Sequence, residues 1–127
     1  MFVAGLIFSI LSALLHIFIF YMESFAWTGE KSRSVFGLTQ DQAENTREMA
    51  FNQGFYNLFL AIEVLCGCVL QLMGNITGIA LVLFGTGSML AAALLLFVTS
   101  PDKRGAATKQ GALPLLALVC LIYALML

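Results

Sequence analysis

The stretch Gln71–Leu81 reads "QLMGNITGIAL", and only Gly74, Asn75 and Ile76 separate two long apolar runs. A Gly-Asn pair suits a tight turn, and helices joined so closely must run antiparallel. The turn therefore dictates an up-and-down hairpin. Outward from it, four runs approach the roughly 20 apolar residues needed to cross a hydrocarbon core of about 30 Å. They cover 2–21, 50–73, 76–99 and 108–127. Pro114 is expected near the start of the last helix, where a missing N–H costs little.

Composition agrees, with 61% hydrophobic and 10% charged residues and a mean hydropathy of +0.96. These values point to an integral membrane protein with the lipid bilayer as its solvent. Six Lys and Arg stand against seven Asp and Glu, for a net charge of −1. That balance offers no basic patch for nucleic acid. Cys66, Cys68 and Cys120 form no C-x-x-C motif and lie within apolar runs, where a thiol packs as a small hydrophobe. The first run lacks the basic flank and cleavage site of a signal peptide and is read as a span.

The expected fold is an all-α, integral membrane four-helix up-and-down bundle, with residues 1–127 as one domain. Its two longer connections, 24–47 and 100–109, lie on one side and carry all six basic residues: Lys31, Arg33, Arg47, Lys103, Arg104 and Lys109. The positive-inside rule then places both connections in the cytoplasm and both termini outside, in a multi-pass protein of the cell membrane. Thr39 and Gln42 have capping-box spacing, so the second long helix should begin near Gln40, before the bilayer. The triplet Asn75–Thr77 matches a glycan acceptor but reads better as a turn.

Polar residues inside these spans are the candidate site. With Asn52 at zero and about 100° per residue, Tyr56 falls at about 40°, Glu63 at about 20° and Glu48 at about −40°. Gln53 and Asn57 widen the stripe to one side. On the first helix Ser9, Ser12, His16 and Glu23 share one face. Lipid cannot satisfy such groups, so the two polar faces are expected to meet. His16 should then lie level with Asn57, and Glu63 should lie deepest, opposite Ser12. Glu23 is expected at the wet interface near Trp27. The candidate ligand-binding or proton-coupling residues are Glu63, His16, Asn57, Asn52, Gln53, Tyr56 and Glu23, forming a funnel open to the cytoplasm.

Two segments, "YMESFAW" at Tyr21–Trp27 and "ENTREMAFNQGFYNLFLA" at Glu44–Ala61, resemble the small four-helix membrane proteins grouped as domain of unknown function 1304. The resemblance covers the chain and implies a four-span membrane protein. It implies no reaction, substrate or cofactor.

Three functions fit these residues. One is a pocket that binds or transports a small solute, with Glu63 exchanging a proton for a cation, on a plan similar to that of small multidrug transporters. A second is a membrane enzyme using His and Glu chemistry. Its weakness as a metal site is one histidine, with His16 and Glu23 about 10 Å apart along their helix; no metal site is assigned. The third is an accessory protein whose polar seam mediates packing. A homo-oligomer is compatible with each. Cysteines introduced at Ser32 or Thr108 should be shielded from a membrane-impermeant reagent applied to intact cells, and labelling from outside would invert the orientation.

Overall fold

A computed structural model describes all 127 residues. Four helices are long and apolar enough to cross a membrane, which makes this a multi-pass membrane protein. In chain order they are α1 (Phe2–Ser24), α3 (Gln40–Leu72), α4 (Thr77–Thr99) and α5 (Arg104–Met126), with a short α2 (Glu30–Phe36) between the first two. One turn of 3-10 helix, Pro101–Lys103, joins α4 to α5.

Local chemistry sets most boundaries. The Thr39 hydroxyl accepts from the Gln42 N–H at 3.2 Å, and the Gln42 side chain accepts from the Thr39 N–H at 3.0 Å. This capping box starts α3 where its spacing indicated. The α3–α4 connection turns at Gly74, whose φ of 79° suits glycine. Within it the Asn75 side chain accepts from the Thr77 N–H at 2.9 Å.

Two expectations about boundaries change. Residues 24–47 are not all loop, because α2 folds back and buries Phe36 with Ile19, Met22 and Ala106. Burial of Phe36 is what holds this short helix on the end of the bundle. Helix α5 begins at Arg104, so Pro114 lies in its interior. Lacking an N–H, Pro114 leaves the Gln110 carbonyl without its usual helical donor. Ser32 lies on the buried face of α2, so the exposed Thr108 is the better labelling position for the orientation experiment.

The four long helices form a closed ring. Helices α1 and α4 each pack against both α3 and α5 but barely touch one another. All neighbours run antiparallel: Gly5 meets Leu121, Gly54 meets Phe20 and Ser24, Gly67 meets Gly78, and Gly111 meets Ala93. Both termini therefore lie at the end of the α3–α4 turn, and the six basic residues at the other. The core contains Leu6, Ala13, Val64, Val82, Met89 and Leu121. Small residues matter here because helices in lipid gain from close van der Waals packing and not from expelling water.

The α3–α4 crossing shows this most clearly. A Cβ on Gly67 would lie 2.8 Å from the Gly78 carbonyl oxygen, and one on Gly78 would lie 2.5 Å from the Gly67 carbonyl oxygen and collide with the Gln71 amide. Backbone cannot move aside as a side chain can. Gly78→Ala should therefore cost about 1–3 kcal/mol through overpacking. Gly87→Ala, where a Cβ meets nothing within 4 Å, should be neutral or stabilising by up to about 1 kcal/mol. Thermal unfolding in detergent checks both, and equal effects would show that the crossing is not tight.

Candidate functional site

The end bearing the basic loops is where the polar groups converge. At the crossing of α1 and α3, Gly54 has no side chain to hold the helices apart; a Cβ there would lie 3.0 Å from the Phe20 carbonyl oxygen and collide with the Ser24 hydroxyl. Close approach lets Ser24 Oγ donate to the Phe51 carbonyl at 2.9 Å. One turn deeper, Asn57 Nδ2 donates to Glu23 Oε2 at 2.7 Å. That distance fits a charge-assisted hydrogen bond. Glu23 and Asn57 retain only 7% and 8% of their exposure.

Above this pair lies an open cavity of about 360 Å³ bordered by α1, α2, α3, α4 and α5. Glu23 and Asn57 line it, with Gln53 and Thr46 from α3, Ser100 and Lys103 from the α4–α5 connection, and Gln110 from α5. Trp27, Phe36, Met49, Ala50, Ala92 and Leu96 complete the wall. Trp27 Nε1 donates to the Thr46 hydroxyl at 3.0 Å, and its ring lies 5.0 Å from that of Phe36. These contacts anchor the α2 segment beside the cavity. Lys103 pairs at 3.1 Å with the exposed Asp102, a contact worth at most about 1 kcal/mol and easily released.

The side chains of Gln53, Ser100 and Gln110 make no hydrogen bond within the protein, and no protein donor reaches Glu23 Oε1. Elsewhere in the four long helices the buried hydroxyls are consumed by their own helices. Ser9 donates to the Gly5 carbonyl, Ser12 to that of Phe8 and Thr86 to that of Val82, at 2.6–2.8 Å. His16 is fully buried, with Nδ1 2.8 Å from the Ser12 carbonyl oxygen. That bond assigns the proton to Nδ1 and leaves Nε2 as an acceptor with no partner.

The expected site is therefore rearranged. Asn57 and Glu23 come together, although Asn57 was expected level with His16 and Glu23 at the wet interface. The shift arises because α3 runs far past the end of α1, so α1 meets it two turns later than equal span ends imply. Gln53 joins the cavity wall. Asn52, Tyr56 and Glu63 do not: Asn52 and Tyr56 face outward, Tyr56 with 65% exposure, and the half-buried Glu63 lies beside Gly85 without a hydrogen bond. The stripe from Glu48 to Glu63 thus points away from the bundle. The inward face of α3 is marked instead by small residues, Ala50, Gly54, Ala61 and Gly67, interrupted by Asn57. Four lining residues had no place in the sequence-level site: Thr46, Ser100, Lys103 and Gln110. Gln110 carried a signal, being the only amide side chain in α5.

Asn57→Leu removes the donor and strands a buried carboxylate, which should cost about 1–3 kcal/mol of stability. Glu23→Gln keeps an acceptor for Asn57 and should cost much less. The pair of unfolding midpoints tests whether this contact holds α1 to α3; equal losses would deny it.

No curated protein and no solved structure matches the chain. A family profile does match, over residues 10–122, which is most of the chain and includes Glu23, Asn57 and every other polar lining residue of the cavity. The chain belongs to the family described as protein of unknown function (DUF1304).

Proposed function

We propose that this protein binds a small solute in the cavity at the basic end of the bundle, from the cytoplasmic side, with Glu23 and Asn57 as the floor of the site. One observation carries the reading: Glu23 Oε1, Gln53, Ser100 and Gln110 are uncommitted polar groups facing a single space. A seam that served packing alone would use its donors and acceptors internally, as Ser9, Ser12 and Thr86 do. The volume lies within the usual range for small-ligand sites, about 300–1,000 Å³.

The floor carboxylate favours a ligand bearing a cation or several donors. Amides and a hydroxyl surround it, and the apolar wall of Met49, Ala92 and Leu96 suits a short hydrocarbon part. A bound cation would meet the carboxylate that Asn57 already holds by its charge-assisted hydrogen bond. Transport would require a further opening through the apolar half of the bundle, where Leu6, Val64 and Val82 are packed.

Ethylammonium and choline chloride, with sodium acetate as the anionic control, test this by thermal stabilisation of the detergent-solubilised protein. A bound solute at 100 times its Kd stabilises by about 2.7 kcal/mol. The cations should raise the midpoint of the wild type and of Glu63→Gln, and should leave Glu23→Gln unchanged. Stabilisation by acetate alone, or an unaltered response in Glu23→Gln, would transfer the polar residues to a packing role.

A further inference from the structure

Helix α3 has a second face that the other helices leave largely uncovered, α4 reaching it only where Glu63 lies beside Gly85. Asn52, Tyr56, Phe59, Glu63 and Cys66 follow one another at spacings of four, three, four and three, and Leu70 extends the series. All are exposed or half-buried. A mean spacing of about 3.5 residues is the period at which one helix keeps a seam against another along its length. Helices α1 and α4 occupy other faces of α3, at Gly54 and at Gly67.

The polarity of this seam is unlike the rest of the lipid-facing surface. Outward positions of α1 and α4 around the depth of Glu63 are apolar, as at Leu11, Leu14, Phe18 and Phe84. On α3, Glu63 makes no hydrogen bond, and the Asn52 amide reaches only the Glu48 carbonyl of its own helix at 3.4 Å, which is weak geometry. Glu63 stands nine residues before Leu72, the last of α3, and so about 14 Å into a core of about 30 Å. Hydrocarbon offers it neither donor nor counter-charge.

We infer that this seam is a homodimer interface, in which α3 of one copy packs parallel to α3 of a second about a two-fold axis normal to the membrane. The argument for a second copy is self-complementarity. Every copy inserts with the same orientation, so the axis brings each seam residue to its own counterpart at the same depth. An Asn side chain carries both donor and acceptor, as does a Tyr hydroxyl, and two carboxyls can hold one proton between them. Tyr56 and Glu63 are thus satisfied by one operation, and Asn52, about 30 Å from Leu72, by the same operation or by water at the edge of the core. Polar side chains of this kind tie helices together in membranes, and Asn at a seam position sets register. This interface is independent of the cavity, which opens on another face of α3.

The seam carries its own reporter, since Cys66 is a free, exposed thiol. In a parallel pair the two Cys66 residues would lie within the roughly 7 Å Cα separation that a disulfide can bridge. The full chain in its native membrane is oxidised with copper phenanthroline and the linked species is weighed. The expected product has the mass of two copies and is lost in Cys66→Ser. In the Cys66→Ser background, Phe59→Cys on the seam should cross-link about tenfold faster than the equally lipid-facing Ile62→Cys off it, because association raises the effective concentration of the facing thiols. Replacing Asn52 and Glu63 by Leu in the Cys66 chain should reduce its rate by a similar factor, while an unchanged helical circular-dichroism spectrum reports intact folding. Equal rates at Phe59→Cys and Ile62→Cys, undiminished cross-linking in the Leu variant, or a product heavier or lighter than two copies would overturn the dimer.

Discussion

The close crossing of α1 and α3 at Gly54 governs the basic end of this molecule. With no side chain between them, the two backbones approach closely enough for Ser24 to reach the Phe51 carbonyl and for Asn57 to reach Glu23. Each contact steps along the same face of α3, so they form as a set. A carboxylate at this depth needs donors from protein, because lipid supplies none. Asn57 provides one and leaves the second carboxylate oxygen to the cavity.

The glycines also account for the cavity's position. At the turn end α3 and α4 are pinned by Gly67 and Gly78, and Gly85 packs against Val64 a little further along. Toward the basic end no such contact draws them together, and the space between them is lined by Gln53, Ala92, Leu96 and Ser100. Pro114 adds to this opening by freeing the carbonyl of Gln110, another lining residue. A bundle tight at one end and open at the other concentrates water-accessible chemistry beside the aromatic and basic residues of the headgroup zone. Arg104 over Phe97 and Lys31 over Phe18, with ring-centroid distances of 4.9 and 5.0 Å, belong to that zone.

Helix α3 divides its polar residues between two destinations. Asn57 and Gln53 turn to the cavity, whereas Asn52, Tyr56 and Glu63 turn outward along a 3.5-residue seam. The separation of duties answers why so apolar a helix carries a carboxylate at mid-depth. Glu63 finds no hydrogen-bond partner within the chain, whereas Glu23 finds one in Asn57.

Span number, the antiparallel hairpin at Gly74–Ile76, the α3 capping box and the clustering of all six basic residues at one end were legible in the sequence, because each depends on local chemistry or on the thickness of a bilayer. That Glu23 and Asn57 would need partners within the protein was legible for the same reason, since polar groups in apolar spans demand them. Which partner each would find was not. Helical periodicity places Asn52, Tyr56 and Glu63 on one face but carries no information about which way that face turns, and the polarity of the stripe suggested inward. Tertiary structure reversed this because close packing in a membrane selects the smallest residues for the interior, so the face of Ala50, Gly54, Ala61 and Gly67 turned in. Depth was decided the same way. The sequence sets how long α1 and α3 are, but only their contact at Gly54 sets how far one slides along the other, and that slide joins Glu23 to Asn57 while leaving His16 two turns below.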